Sequence, residues 1–85
     1  MNLEFEPRAF EDLTWWVSNN RKTAVRILKI IENIRRTPYE GLGKPEPLKH
    51  ELSGLWSRRI NREHRIVYEV LDDKIRILAC RYHYD

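Results

Sequence analysis

A carboxylate, a histidine and several cations stand out in the second half of the chain: Glu46, Lys49, Arg59, Arg65, Arg81 and His83. That inventory suits cleavage of RNA without a metal. The 2′-hydroxyl must lose a proton to attack the phosphorus, and the departing 5′-oxygen must gain one. The phosphorane-like transition state carries extra negative charge on its non-bridging oxygens. A carboxylate base, an imidazole acid and a guanidinium clamp meet those three needs. Each member also has an ordinary reading. Glu46 could be a loop surface charge, Arg65 a partner of Glu63 or Glu69, and His83 a solvated residue. The pairs Arg35-Arg36 and Arg58-Arg59 read equally well as surface charges.

Other chemistries are poorly supported. His50, His64 and His83 show no metal-ligand spacing, and Cys80 stands alone, without a disulfide partner or a CxxC pair. Gly41-Leu42-Gly43 runs into Lys44-Pro45 and opens no phosphate-cradling helix. Ser53 and Ser57 lack a nucleophile elbow. Neither a metal nor a cofactor is implied. The 85 residues suit a single domain, 1–85, and 41% hydrophobic residues suffice for one core. No apolar run reaches membrane-spanning length and no signal pattern opens the chain, so the expectation is a soluble cytoplasmic protein with no membrane partner.

Charge is unevenly spread. Residues 1–20 hold one cation and four anions (1 − 4 = −3), and residues 21–85 hold fifteen and nine (15 − 9 = +6), which together give the net +3. Eleven of the sixteen cations are arginine, whose planar fork suits bidentate phosphate contacts. Composition therefore leans towards a polyanionic partner.

Those residues must be positioned by a small set of elements. Leu3 and Phe5 alternate with polar neighbours, which predicts a first strand ending at Pro7. From Arg8, the spacing of Phe10, Leu13, Trp16 and Val17 predicts a helix, broken at Asn19-Asn20, where a new N-cap fits. Ala24, Ile27, Leu28, Ile31 and Ile34 then form one stripe of a second helix that Pro38 ends. Residues 38–47, with three prolines and two glycines, read as an ordered loop. Leu55–Ile60, Arg65–Leu71 and Ile75–Tyr82 follow as three strands in meander order. The expected fold is α+β, β-α-α-β-β-β, with a helix hairpin on one face of a mainly antiparallel sheet. If Ile66, Tyr68 and Val70 share the covered face with Leu78, Cys80 and Tyr82, even positions must pair with even ones. That requires the three-residue turn Asp72-Asp73-Lys74. Arg65, Val67, Glu69, Ile77, Ala79, Arg81 and His83 would then line the uncovered face.

A resemblance sharpens this reading. Arg35-Arg-Thr-Pro-Tyr-Glu-Gly-Leu-Gly-Lys-Pro-Glu-Pro-Leu-Lys-His50 strongly resembles the YoeB (Txe) toxins of bacterial toxin–antitoxin pairs, within the RelE superfamily. So do Leu52-Ser-Gly-Leu-Trp-Ser-Arg-Arg-Ile60, Glu63-His-Arg-Ile-Val-Tyr68 and Ala79-Cys-Arg-Tyr-His-Tyr84. The N-terminal third matches mainly in pattern. The resemblance implies a microbial-RNase-like fold and an endoribonuclease that cleaves mRNA in the decoding site of the 70S ribosome, leaving 2′,3′-cyclic or 3′-phosphate and 5′-hydroxyl ends. Carried over by position, Glu46 is the general base, His83 the general acid and Arg65 the transition-state stabiliser. Lys49, Arg59 and Tyr84 hold the substrate, and Arg81 is grouped with them as substrate-binding. Further implications are a YefM-type antitoxin and a homodimer. Relatives that poison gyrase share this fold, so the alternative is a non-catalytic toxin of the same fold that binds gyrase or the ribosome. Asp85 extends the chain one residue beyond the tyrosine at which family members commonly end. Its charge favours imidazolium at His83, whereas Arg65 and Arg81 oppose it.

Overall fold

The computed structural model describes residues 1–82 and consists of two helices packed on a five-stranded mixed sheet. Strand β1 (Asn2–Phe5) leads into α1 (Pro7–Asn19), then α2 (Arg21–Arg36). The two-residue strand β2 (Glu46–Pro47) and a 3₁₀ turn (His50–Leu52) precede β3 (Leu55–Arg59), β4 (Arg65–Val70) and β5 (Lys74–Ala79). The strand order is β1-β5-β4-β3-β2, antiparallel except where β1 runs parallel to β5 at one edge. The expected α+β architecture is present, with β2 as an additional strand inside the segment read as loop.

Local chemistry explains the boundaries. Pro7 opens α1, where its missing N–H costs nothing. Asn20 caps α2 by accepting the Thr23 N–H at 3.1 Å. Arg35 and Arg36 occupy the last turn of α2, complementing the negative end of its dipole before Pro38 stops it. The core joins Ala9 and Trp16 of α1, Ala24, Ile27, Ile30, Ile31 and Ile34 of α2, Ile66, Tyr68, Ile75 and Ile77 of the sheet, and Ile60 and Cys80 just beyond the ends of β3 and β5. Phe10, Val17 and Leu28, which the helical spacing placed inside, are exposed instead. Ile30 is buried and Leu28 is not, because the buried arc of α2 runs from Ala24 and Ile31 through Ile27 and Ile34 to Ile30 and leaves Leu28 beyond its other edge.

The register expectation for the last hairpin is corrected. Leu71 N–H donates to Lys74 O at 2.9 Å, so only Asp72 and Asp73 turn the chain. Val70 faces Ile75 and Tyr68 faces Ile77, pairing even positions with odd ones. A bulge at Val67/Tyr68 then shifts the register, and Val67 faces Ala79. One extra residue lets Ile75 and Ile77 share the covered face with Cys80, which no unbroken alternation allows. Ile77 is therefore core, and the uncovered face carries the pairs Glu69–Arg76 and Val67–Ala79.

Burial has a chemical consequence at Cys80, the one cysteine. Desolvation, reinforced by the neighbouring Asp12 carboxylate, pushes its thiol up to about 12, so it is a packing group and not a nucleophile. Among the described residues, no helix is long and apolar enough to cross a membrane.

Candidate active site

Sheet register brings three of the expected residues to one face. Glu46 is paired with Ser57, Ser57 with Val67, and Arg59 with Arg65. Directly opposed antiparallel residues share a face, so Glu46, Arg59 and Arg65 all lie on the side away from the helices. Between them, Ser57, Val67 and Ala79 form a buried floor of small side chains. Glu46 and Arg59 are exposed. Strand β2 is short because Pro45 and Pro47 bracket Glu46 and cannot donate to a ladder, which confines this segment to the sheet edge. The ladder is extended by Leu48 N–H donating to Leu55 O at 2.9 Å. Lys49 follows on the rim of a cavity of about 540 Å³ that Glu46 also lines.

Arg65 is held in a different way. Its Nη1 donates to the carbonyls of Asn61 at 2.8 Å and His64 at 3.1 Å, so the guanidinium folds over the turn that joins β3 to β4. Asn61 Oδ1 shapes that turn by accepting the N–H groups of Glu63 and His64, both at 2.9 Å.

The chain leading to His83 is clamped on both sides. Asp12 accepts the Cys80 N–H at 2.9 Å, and Trp16 Nε1 donates to Cys80 O at 2.8 Å. Two residues further, Tyr82 N–H donates to His64 Nδ1 at 2.7 Å, and Arg65 N–H donates to Tyr82 O at 2.7 Å. The Arg65 backbone is thus bonded to the last described carbonyl. His83 and Tyr84 lie outside the described residues. Arg81 was expected on the uncovered sheet face beside Arg65. Its guanidinium carbon instead stands 3.5 Å from the ring centroid of Trp15, because the chain leaves strand geometry after Ala79 and turns this side chain towards α1.

Among the described residues, three that are not glycine have positive φ: Lys44 at 51°, His50 at 57° and Tyr82 at 65°. Each lies within two residues of a candidate group, namely Glu46, Lys49 and His83. Such conformations are uncommon outside glycine and cluster where a structure fixes a functional backbone.

Asp12, Trp16 and His64 hold the backbone of Cys80 and Tyr82, contacts that the sequence reading missed. One signal was available. Asp12 falls on the same helical face as Ala9 and Trp16, where a carboxylate needs a buried donor. For His64, Asn is the informative replacement, because its Oδ1 can stand where Nδ1 stands. His64→Asn should keep the Tyr82 amide slow to exchange. His64→Ala, losing a bond worth about 1 kcal/mol, should speed that exchange several-fold. Equal protection in both variants, read by amide hydrogen exchange, would remove His64 from this role.

A family model described as the YoeB-like toxin of bacterial type II toxin–antitoxin systems matches residues 5–84. The toxin YoeB of Escherichia coli O6:H1 is 52% identical over 84 residues, covering 99% of this chain and all of that protein. The structure of the YoeB dimer from Staphylococcus aureus superposes with a TM-score of 0.91 at 47% identity, covering 99% of this chain and 98% of that one. A YoeB–YefM complex from the same organism gives 0.89 at 48% identity with the same coverage. By sequence over nearly its whole length, this chain belongs to the YoeB-like toxins of bacterial type II toxin–antitoxin systems.

Proposed function

We propose that this toxin is a metal-free endoribonuclease that cleaves mRNA in the decoding site of the ribosome. The observation that carries the reading is the shared uncovered face of Glu46, Arg59 and Arg65, with the chain before His83 bonded to the Arg65 backbone. Glu46 is the base that takes the 2′-hydroxyl proton, and its exposure suits a group that must meet substrate. His83 gives a proton to the departing 5′-oxygen, and Arg65 stabilises the charge that develops at phosphorus. Attack of the 2′-oxygen expels the 5′-oxygen and leaves a 2′,3′-cyclic phosphate, which water can open to a 3′-phosphate. Lys49, Arg59, Arg81 and Tyr84 bind substrate, Arg81 from its stacked position on Trp15. The ribosome supplies the in-line geometry that free RNA populates rarely.

The S. aureus relative occurs as a dimer and in a complex with YefM. By that likeness, this toxin pairs with a YefM-type antitoxin and forms a homodimer. The test is to add the parent protein and His83→Ala separately to programmed ribosomes and to map mRNA ends by primer extension. Cleavage by the parent alone, with 5′-hydroxyl ends, is expected. Translation arrest without new ends in either case would overturn the enzymatic reading in favour of a binding inhibitor.

A further inference from the structure

Arg58 is 0% exposed, an unusual place for a guanidinium. Its five N–H donors all find acceptors. Nε donates to Tyr68 Oη at 3.0 Å. Nη1 donates to Asn33 Oδ1 at 2.7 Å and to Leu42 O at 2.8 Å, and Nη2 to Thr37 O at 2.8 Å and to Glu40 O at 3.0 Å. Every one of these acceptors is neutral. Tyr68 Oη in turn donates to Pro38 O at 2.6 Å, and burial, the larger influence, raises its phenol above the usual range despite the neighbouring cation. Asn33 Oδ1 also accepts the Leu42 N–H at 3.0 Å.

A buried charge without a carboxylate is costly, and an apolar side chain in its place would leave the acceptors that Arg58 now satisfies without donors. What an apolar residue cannot do is hold four carbonyls at fixed points. Arg58, directly and through Tyr68, fixes the backbone of Thr37, Pro38, Glu40 and Leu42. Arg59, the next residue, donates its N–H to Gly43 O. Gly43 has φ +77°, and a Cβ there would lie 2.8 Å from Arg59 O, so the two segments meet too closely for any side chain. Ser57, the residue before, is the sheet partner of Glu46. Three consecutive residues of β3 therefore hold the run from Thr37 to Glu46, with Ser57 and Arg59 on the open face and Arg58 reaching behind it.

We propose that Arg58 is a positioning residue for the general base: its neutral cage sets the backbone from which Glu46 is presented to the 2′-hydroxyl. This rests on the reading of Glu46 as that base. The fork is the relevant property, since one guanidinium reaches acceptors on separate stretches of chain that an ammonium cannot span.

Tyr68→Phe is the mild test. It keeps the core volume while releasing Pro38 O and Arg58 Nε. Arg58→Lys keeps the charge and loses the fork. Both are measured with thermal unfolding, and cleavage on programmed ribosomes is followed well below each unfolding midpoint. The cleavage rate at saturating ribosomes should fall about tenfold for Tyr68→Phe and more for Arg58→Lys, with the half-saturating concentration unchanged. In a Glu46→Gln background, Tyr68→Phe should add almost nothing, because a residue acting through Glu46 has nothing left to position. An equal further loss in that background would overturn the proposal, as would an unchanged rate in folded Tyr68→Phe. A parent that does not cleave at all would instead refute the reading of Glu46 itself.

Discussion

Replacing Glu46 with Gln should lower the mRNA cleavage rate on programmed ribosomes by about 10²–10⁴-fold, the usual worth of a general base, while leaving ribosome affinity nearly unchanged. Gln keeps the size and reach of the side chain and removes its charge and its ability to take a proton. Lys49→Ala and Arg59→Ala should behave in the opposite sense. Both residues present a cation beside Glu46, one on the cavity rim and one across the sheet face. Each should weaken association and flatten its salt dependence by about one unit of slope for every phosphate that is no longer neutralised. Single-turnover cleavage and equilibrium binding, measured at two or more salt concentrations, separate the two classes. If all three variants bind equally weakly, Glu46 is a substrate-holding residue and the division of roles is wrong.

Removing side-chain volume at Ile77 should cost about 2–5 kcal/mol, because Ile77 is fully buried on the covered face of β5 and Ala leaves a cavity. For a domain of this size that corresponds to a fall of roughly 10–30 °C in the unfolding midpoint. Phe10→Ala and Leu28→Ala, at residues 63% and 50% exposed, should change stability by only about 0.5 kcal/mol. The contrast is sharp because helical and alternating spacing rank these three residues the other way round. Thermal or urea unfolding of the three variants decides it. A small effect at Ile77 would contradict the two-residue turn that sets it opposite the buried Tyr68.

Much of the fold was legible because its signals are local. Pro7 and Pro38 bound the helices, Asn20 caps the second, and alternating apolar residues mark β3, β4 and β5 to within a few residues. The candidate residues were legible for a different reason. Glu46, Lys49, Arg59 and Arg65 sit in strings that resemble one toxin family, and that likeness marked them as candidates without any geometry. Strand β2 was not legible, because two residues between prolines show no periodicity and become a strand only through pairing with β3.

By itself the sequence determined both helices and every strand but β2, their order, the family and the candidate chemistry, since each of these depends on nearest neighbours or on matching strings. The tertiary structure alone decided which faces meet. The bulge between β4 and β5 is a compromise between a tight Asp72-Asp73 turn and the burial of Ile75, Ile77 and Cys80 together. Arg58 reads as a surface charge beside Arg59, yet alternation sets it on the covered side with Trp56 and Ile60, where carbonyls from a distant loop satisfy it. Arg81 leaves the sheet for Trp15, and His64 becomes the acceptor for Tyr82. All of these are contacts between segments far apart in the chain. Their energies depend on which groups the fold brings together, which no local pattern encodes.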